Sequence, residues 1–252
     1  MCGICGVVHV DTDSPIDKGM LGRMTDIIRH RGPDSDGFHI APGIGLGVRR
    51  LSIIDLETGD QPISNEDQTV TIVCNGEIYN FQELRQELLS RGHRFRTRSD
   101  VEVIVHLYED YGVECLHHLR GMFAFALWDA RRRRLMLARD RFGIKPLHYA
   151  AAKDGLYFAS EQKSILIFTN IRWLLPGHYL LYEGGHYAIH SYWQPDFPLS
   201  ADGGPRMSVD DWVEALREQL EESVRIHMRS DVPVGAWMSP GIDSSGIVSL
   251  MS

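Results

Sequence analysis

An apolar strand begins at the fourth residue, and the chain keeps returning to strand. Ile4–Val10 is apolar almost from the terminus. Met122–Asp129, Leu135–Arg139, Leu147–Ala151 and Leu156–Ser160 read as consecutive strands, and Leu180–Tyr182 and Tyr187–Tyr192 as a later pair. Thr69–Cys74 is a β-branched strand that runs into Asn75-Gly76, a strong turn pair. Helical spacing is confined to a few segments. Ile16–Ile28 places Ile16, Met20, Met24, Ile27 and Ile28 on one face, and Phe81–Leu89 is a second helix. Ser99-Asp100-Val101-Glu102 opens a third with a capping-box pattern. Many strands with few helices predict an α+β fold of layered sheets covered by helices.

A change of texture follows. Gln194–Met207 holds three of the eleven prolines and reads as a linker. Ser208-Val209-Asp210-Asp211 then caps an amphipathic helix running to about Arg229. Val234–Met238 reads as a short strand, followed by Ser239-Pro240-Gly241-Ile242-Asp243-Ser244-Ser245 and a new apolar run. This organisation predicts a first domain over 2–193, a linker over 194–207 and the beginning of an α/β nucleotide-binding domain over 208–252. That second domain is expected to be truncated, because the sequence reaches Ser252 inside what reads as its next helix.

Charge and cysteine content narrow the function classes. The formal net charge of -8 argues against nucleic acid as the main partner. The run Arg131–Arg134 sits between two strands and reads as a solvated hairpin tip. No apolar stretch is long enough to cross a membrane, and no signal peptide is evident. Four cysteines (Cys2, Cys5, Cys74 and Cys115) are too few for a disulfide scaffold, so a cytoplasmic location is expected.

Cys2 is the residue with the most chemical scope. With Met1 removed, as expected before a small residue, it carries a thiol and a free α-amine of pKa about 7.7–8.0. The amine can then act as a built-in base for the thiol. On local sequence alone, Cys2 is equally a buried apolar residue, or half of a Cys2-x-x-Cys5 metal or redox pair. The metal reading lacks a second pair of ligands.

Five segments settle these alternatives together: Met1-Cys2-Gly3-Ile4-Cys5-Gly6-Val7, Arg29–Asp34, Arg50–Asp55, Asn75-Gly76-Glu77-Ile78-Tyr79-Asn80 and Arg139–Leu147. In this order they resemble the glutaminase domain of class II, N-terminal nucleophile, glutamine amidotransferases. With Ser239–Ser245 they resemble the glutamine-hydrolysing asparagine synthetases. The resemblance implies a four-layer αββα sandwich, with Cys2 attacking the side-chain amide of glutamine. Asn75 and Gly76 would supply the oxyanion donors. Arg50 would bind the substrate carboxylate, Leu51, Ser52, Ile53 and Ile54 would line the pocket, Glu77 would contact glutamine and Asp100 would hold its ammonium group. His30–Asp34 and Arg139–Leu147 read as mainly structural.

For the second domain the resemblance implies a pyrophosphate loop. Ser239, Gly241, Asp243, Ser244 and Ser245 would meet ATP phosphates, Met238 would touch the nucleotide, and Mg2+ would accompany it. Aspartate would be the acceptor of the ammonia. Pro240 departs from the family's glycine there and removes one N–H. A homodimer is compatible with the resemblance. Three other readings remain: an amidotransferase with a different carboxylate acceptor, a β-lactam-synthetase-like enzyme, and a non-catalytic glutamine-binding regulatory module. An intact Cys2 counts against the second.

Overall fold

The computed structural model describes residues 1–197 and 207–251, which fall into two compact units, Met1–Gln194 and Pro195–Ser252. Most of the expected linker, residues 198–206, lies outside the described residues.

In the first unit, twelve strands form two six-stranded sheets. The first contains β1 (Gly3–His9), β2 (Ser35–Ala41), β3 (Ile44–Arg50), β8 (His148–Ala151), β9 (Gly155–Ala159) and β10 (Arg172–Trp173), in the order β10-β8-β9-β1-β3-β2. The second contains β4 (Ile63–Ser64), β5 (Val70–Ile78), β6 (Gly121–Asp129), β7 (Arg134–Arg139), β11 (His178–Glu183) and β12 (His186–Ser191), in the order β12-β11-β7-β6-β5-β4.

Period-two alternation assigns each strand residue to a layer. Ile4 and Val8 of β1, Leu46 and Val48 of β3, Val73 of β5, and Ala124 and Ala126 of β6 share one buried cluster between the sheets. Their neighbours Cys5 and Val7 turn the other way, against Leu21, Met24 and Ile28 of the segment containing α1 (Lys18–Asp26). Ile72 and Cys74 of β5 and Phe123 and Phe125 of β6 face outward in the second sheet. There they pack under α2 (Phe81–Ser90), α3 (Glu102–Tyr111) and α4 (Cys115–His118). The layers are therefore helix, sheet, sheet, helix, an α+β sandwich.

β2 and β3 do not announce themselves in the sequence. β2 is half-exposed along its length, and β3 carries Gly45 and Gly47. The β3 glycines face α1: a Cβ on Gly47 would lie 2.5 Å from Thr25 Oγ1 and 3.3 Å from Cys5 Sγ. They let the helix lie against the sheet rather than break the strand.

Two local expectations are revised, and a third is borne out. Asn75-Gly76 is no turn: both lie inside β5, opposite Ala124 and Phe123 of β6. A Cβ on Gly76 would fall 2.3 Å from the Met122 carbonyl oxygen, so close approach of the two strands, not a turn, selects glycine. The capping box at Ser99 does not form. Ser99 Oγ accepts from the Val101 N–H at 3.3 Å, while the Glu102 carboxylate reaches back to the Arg96 and Thr97 N–H groups at 2.6 and 2.8 Å. Arg131–Arg134 does lie at the β6–β7 hairpin tip, and its side chains pair with Asp67, Asp129, Asp13 and Glu183.

The second unit contains α5 (Val209–His227) and α6 (Ile242–Leu250). Ser208 and Asp211 close a full capping box on α5. Val234–Met238 is not a strand; Trp237 is fully exposed and Met238 largely so. Extended chain needs a neighbouring strand for its N–H and C=O groups, and the described residues of this unit offer none.

Packing at the first helix gives a paired test. Gly47→Val is expected to cost about 1–3 kcal/mol by overpacking. Gly22→Ala, with nothing within 4 Å of the added methyl group, is expected to gain about 0.5–1 kcal/mol through helix propensity. Urea-unfolding midpoints of the two variants measure both.

Candidate active site

Cys2 precedes β1 in the phase that puts Ile4 and Val8 between the sheets. Arg50 follows Val48 on the inner face of β3, and Asn75 follows Val73 on the inner face of β5. Since Gly3 pairs with Arg49, Cys2 and Arg50 lie side by side at one end of the first sheet. The apolar layer between the sheets thus ends in a polar pocket lined by Cys2, Arg50, Asn75, Gly76, Asp100 and Lys145, among others.

The Cys2 thiol is pinned by one residue: the Leu51 N–H donates to Sγ at 3.3 Å, and the Leu51 carbonyl is 3.6 Å away. Arg31 Nε donates to the Cys2 carbonyl at 2.9 Å and Arg31 Nη1 to Glu161 at 3.0 Å, which anchors the terminus. Burial pushes the thiol above its ordinary pKa, opposed by the Leu51 N–H and the terminal ammonium. Burial also lowers the terminal amine, here Met1's, and Lys145 and Arg31 add to that lowering.

Beyond β4, the N–H groups of Cys74, Gly76 and Ile78 on β5 face away from β6. Gln61 Oε1 takes the one from Cys74 at 2.6 Å, and Asp100 Oδ2 takes the one from Ile78 at 2.7 Å. By strand alternation the Gly76 N–H points to the same edge, between them and toward the pocket. Beside it, the Asn75 amide is buried, and neither Nδ2 nor Oδ1 has a hydrogen-bond partner among the described residues. A buried amide with both ends unpaired is costly, and it marks a position where a ligand oxygen would be received.

Asp100 stands just ahead of α3. Burial pushes its carboxyl up to about 7, backbone N–H groups oppose the shift, and nearby Glu77 reinforces it. An arriving cation would favour the charged form. Arg50 draws in the loop after β3: Nη2 donates to the Ile54 and Asp55 carbonyls at 3.1 and 2.5 Å, and Nη1 to Asp60 at 2.9 Å.

Leu51, Ile53, Ile54 and Glu77 line the pocket, and Ser52 is not among its lining residues. The Ser52 N–H donates to Asp34 Oδ2 at 2.8 Å. Lys145 and Gln61 are lining residues that the sequence did not single out. Lys145 belongs to the Arg139–Leu147 segment, whose structural role is real. Asp140 accepts from four backbone N–H groups, those of Phe123, Phe142, Ile144 and Lys145, and Arg139 donates to three carbonyls. That loop also delivers Lys145 to the pocket, where burial lowers its pKa.

In the second unit, residues 238–241 form an exposed loop that leads into the first turn of α6, 242–245. Ser244 Oγ donates to the Ser239 carbonyl at 2.8 Å and Ser245 Oγ to the Gly241 carbonyl at 2.9 Å. Among the described residues, no helix is long and apolar enough to cross a membrane.

This arrangement has relatives. The glutamine amidotransferase domain family matches residues 1–169, and the asparagine synthase family matches 215–252. The chain belongs to the glutamine amidotransferase domain family. It is 40% identical to asparagine synthetase [glutamine-hydrolyzing] 1 of Bacillus subtilis (strain 168), covering 99% of this chain and 44% of that protein. It is also 40% identical to asparagine synthetase B [glutamine-hydrolyzing] of Escherichia coli (strain K12), with the same 99% and 44% coverage. The chain therefore spans less than half the length of these curated relatives. Its fold is that of the PRPP amidotransferase from B. subtilis (TM-score 0.62, 17% identity, 99% of this chain, 64% of that chain). A second solved structure, an allosteric regulatory enzyme of purine biosynthesis, aligns with TM-score 0.66 at 20% identity over 77% of this chain and 50% of that one.

The elevated pKa of Asp100 gives a signed expectation. Its folded value of about 7 lies above the ordinary carboxylate range, so the native state binds the extra proton. This contribution is favourable at low pH and fades as pH rises toward 7. Asp100→Asn should therefore melt higher than the unsubstituted protein at pH 8, with the gap narrowing toward pH 5. Differential scanning fluorimetry across that range checks it.

Proposed function

We propose that the first unit is a glutaminase that releases ammonia from glutamine at Cys2. The observation that carries this reading is the unpaired Asn75 amide beside the pocket-facing Gly76 N–H, in the same pocket as a pinned thiol. A glutamine whose ammonium lies against Asp100 and whose carboxylate lies against Arg50 directs its amide carbonyl to that pair. The exposed Asp60 carboxylate on Arg50 is the partner an incoming carboxylate can replace.

Cys2 Sγ attacks the amide carbon while the α-amine, exposed by loss of Met1, accepts the thiol proton. The tetrahedral oxyanion takes hydrogen bonds from Asn75 Nδ2 and Gly76 N. The amine returns the proton to the departing nitrogen, leaving a thioester on Cys2 and free ammonia. Water, deprotonated by the same amine, attacks the thioester and releases glutamate. An α-amine, with an ordinary pKa of about 7.7–8.0, is partly neutral near pH 7, as a base must be.

The ammonia is proposed to serve the ATP-dependent amidation of aspartate. Support comes from the asparagine synthase match over 215–252 and from the Ser239–Ser245 loop, whose hydroxyls and α6 N–H groups suit phosphates. ATP, when bound there with Mg2+, supplies carboxylate activation. Met238, Ser239, Gly241, Asp243, Ser244 and Ser245 are the residues assigned to hold it. We assign the glutaminase to residues 2–193 and the start of the synthetase to 208–252.

A glutaminase assay with mass spectrometry of the N-terminus tests this reading. Glutamate release is expected from protein lacking Met1 and is abolished in Cys2→Ala. Asn75→Ala should lose about 10²–10³ in kcat, the worth of one oxyanion donor. Full activity with Met1 retained, or activity surviving Cys2→Ala, would contradict it.

A further inference from the structure

Away from the pocket, at the outer helical layer, a second set of chemical groups converges from three separate elements. Glu66 comes from the β4–β5 connection, His93 from the turn after α2, and His106 and Glu109 from successive turns of α3. One ligand atom from each lies within 4.8 Å of all the others.

The individual distances are close to those of a filled coordination sphere. His106 Nδ1 is 3.2 Å from Glu109 Oε2 and 3.5 Å from Glu66 Oε2. His93 Nδ1 is 3.6 Å from the same Glu109 oxygen and 3.7 Å from Glu66 Oε1. Four ligands at zinc distances of about 2.0–2.1 Å would sit about 3.3–3.4 Å apart along tetrahedral edges. Small side-chain shifts therefore suffice.

The surrounding groups are those that ligand orientation requires. In metal sites the distal nitrogen of a ligating histidine is usually held by a carboxylate or carbonyl. His93 Nε2 lies 3.1 Å from Asp110 Oδ1, and His106 Nε2 lies 3.8 Å from Glu102 Oε1. Asn65 Nδ2 donates to Glu109 Oε1 at 2.8 Å, and the Arg94 N–H donates to Glu66 Oε1 at 2.7 Å. Both histidines thus present Nδ1 inward; Asp110 holds His93 Nε2, and Glu102 is the acid nearest His106 Nε2. His106 is fully buried, and its Nε2 makes no hydrogen bond within normal range. The carboxylates of Glu66, Glu102, Glu109 and Asp110 surround the pair; Arg91 pairs with Asp110, and Arg96 donates to the Glu66 carbonyl.

We propose that Glu66, His93, His106 and Glu109 form a binding site for a divalent transition-metal cation, with zinc as the best match to two imidazoles and two carboxylates. The site is structural: all four positions are filled by protein and no place is kept open for chemistry. It would clamp the turn after α2 and the β4–β5 connection to α3, the helix that begins just after Asp100. The competing occupant is a proton on His106. Burial disfavours that charge, but Glu102 and Glu109 outweigh it and hold the imidazole up to about 9.

The test is a titration of the chelator-treated full chain with zinc, followed by cobalt as a spectroscopic probe. One equivalent of zinc should bind and raise the melting temperature by about 5–10 °C at 100-fold excess over Kd. Cobalt should give tetrahedral visible bands without thiolate charge transfer, unchanged in Cys2→Ala. His93→Gln and Glu109→Gln should each weaken binding at least tenfold. Asp110→Asn, which touches no metal, should weaken it about 10–100-fold. No binding at 100-fold molar excess of zinc, or equal binding by His93→Gln and Glu109→Gln, would overturn the proposal and leave the proton as occupant.

Discussion

The layer between the two sheets is apolar for most of its length and polar at one end, and that change of character governs the molecule. Ile4, Val8, Leu46, Val48, Val73, Ala124 and Ala126 fill the dry part. One step further along the same inner faces stand Cys2, Arg50 and Asn75. Continuing the apolar series there would close the sandwich and satisfy its packing. The chain instead buries an amide with no partner and a carboxyl held near neutrality. Both are unfavourable without a ligand, and the proposed glutamine, with its ammonium group and amide carbonyl, would relieve both.

The supporting residues follow from that demand. Arg31 and Leu51 fix the thiol, Arg50 folds the 51–60 loop over it, and Asp140 holds the segment that delivers Lys145. Gln61 and Asp100 occupy the edge N–H groups of β5 on either side of Gly76. They prevent that edge from recruiting another strand while leaving one donor facing the pocket.

Much of this was legible in the sequence, in a physically uneven way. Strands buried on both faces, such as β6 and β7, are continuous apolar runs and read directly. β2 and β3 do not, because β2 is half-exposed and the β3 glycines look like breakers until α1 is seen lying on them. Asn75-Gly76 has the composition of a turn; only the opposing β6 backbone shows why glycine is needed within a strand. Cys2, Arg50 and Asp100 were found as separated motifs, and the structure gathers them into one pocket. Lys145 was hidden by its neighbours, since Arg139 and Asp140 have enough structural work to account for the whole segment. Val234–Met238 reads as a strand because its residue types favour one, but pairing depends on a neighbour that local sequence cannot supply.

The central claim is that the thiol of Cys2, once it carries its own free amine, is the nucleophile that the pocket activates. The most direct measurement is covalent labelling with a glutamine analogue bearing an electrophilic carbon at the amide position, read by intact-mass and peptide mass spectrometry. One adduct per chain, on Cys2, confined to molecules lacking Met1 and suppressed by excess glutamine, is the predicted result. An adduct on Cys5, Cys74, Cys115 or Lys145, or equal labelling of Met1-bearing molecules, would contradict it.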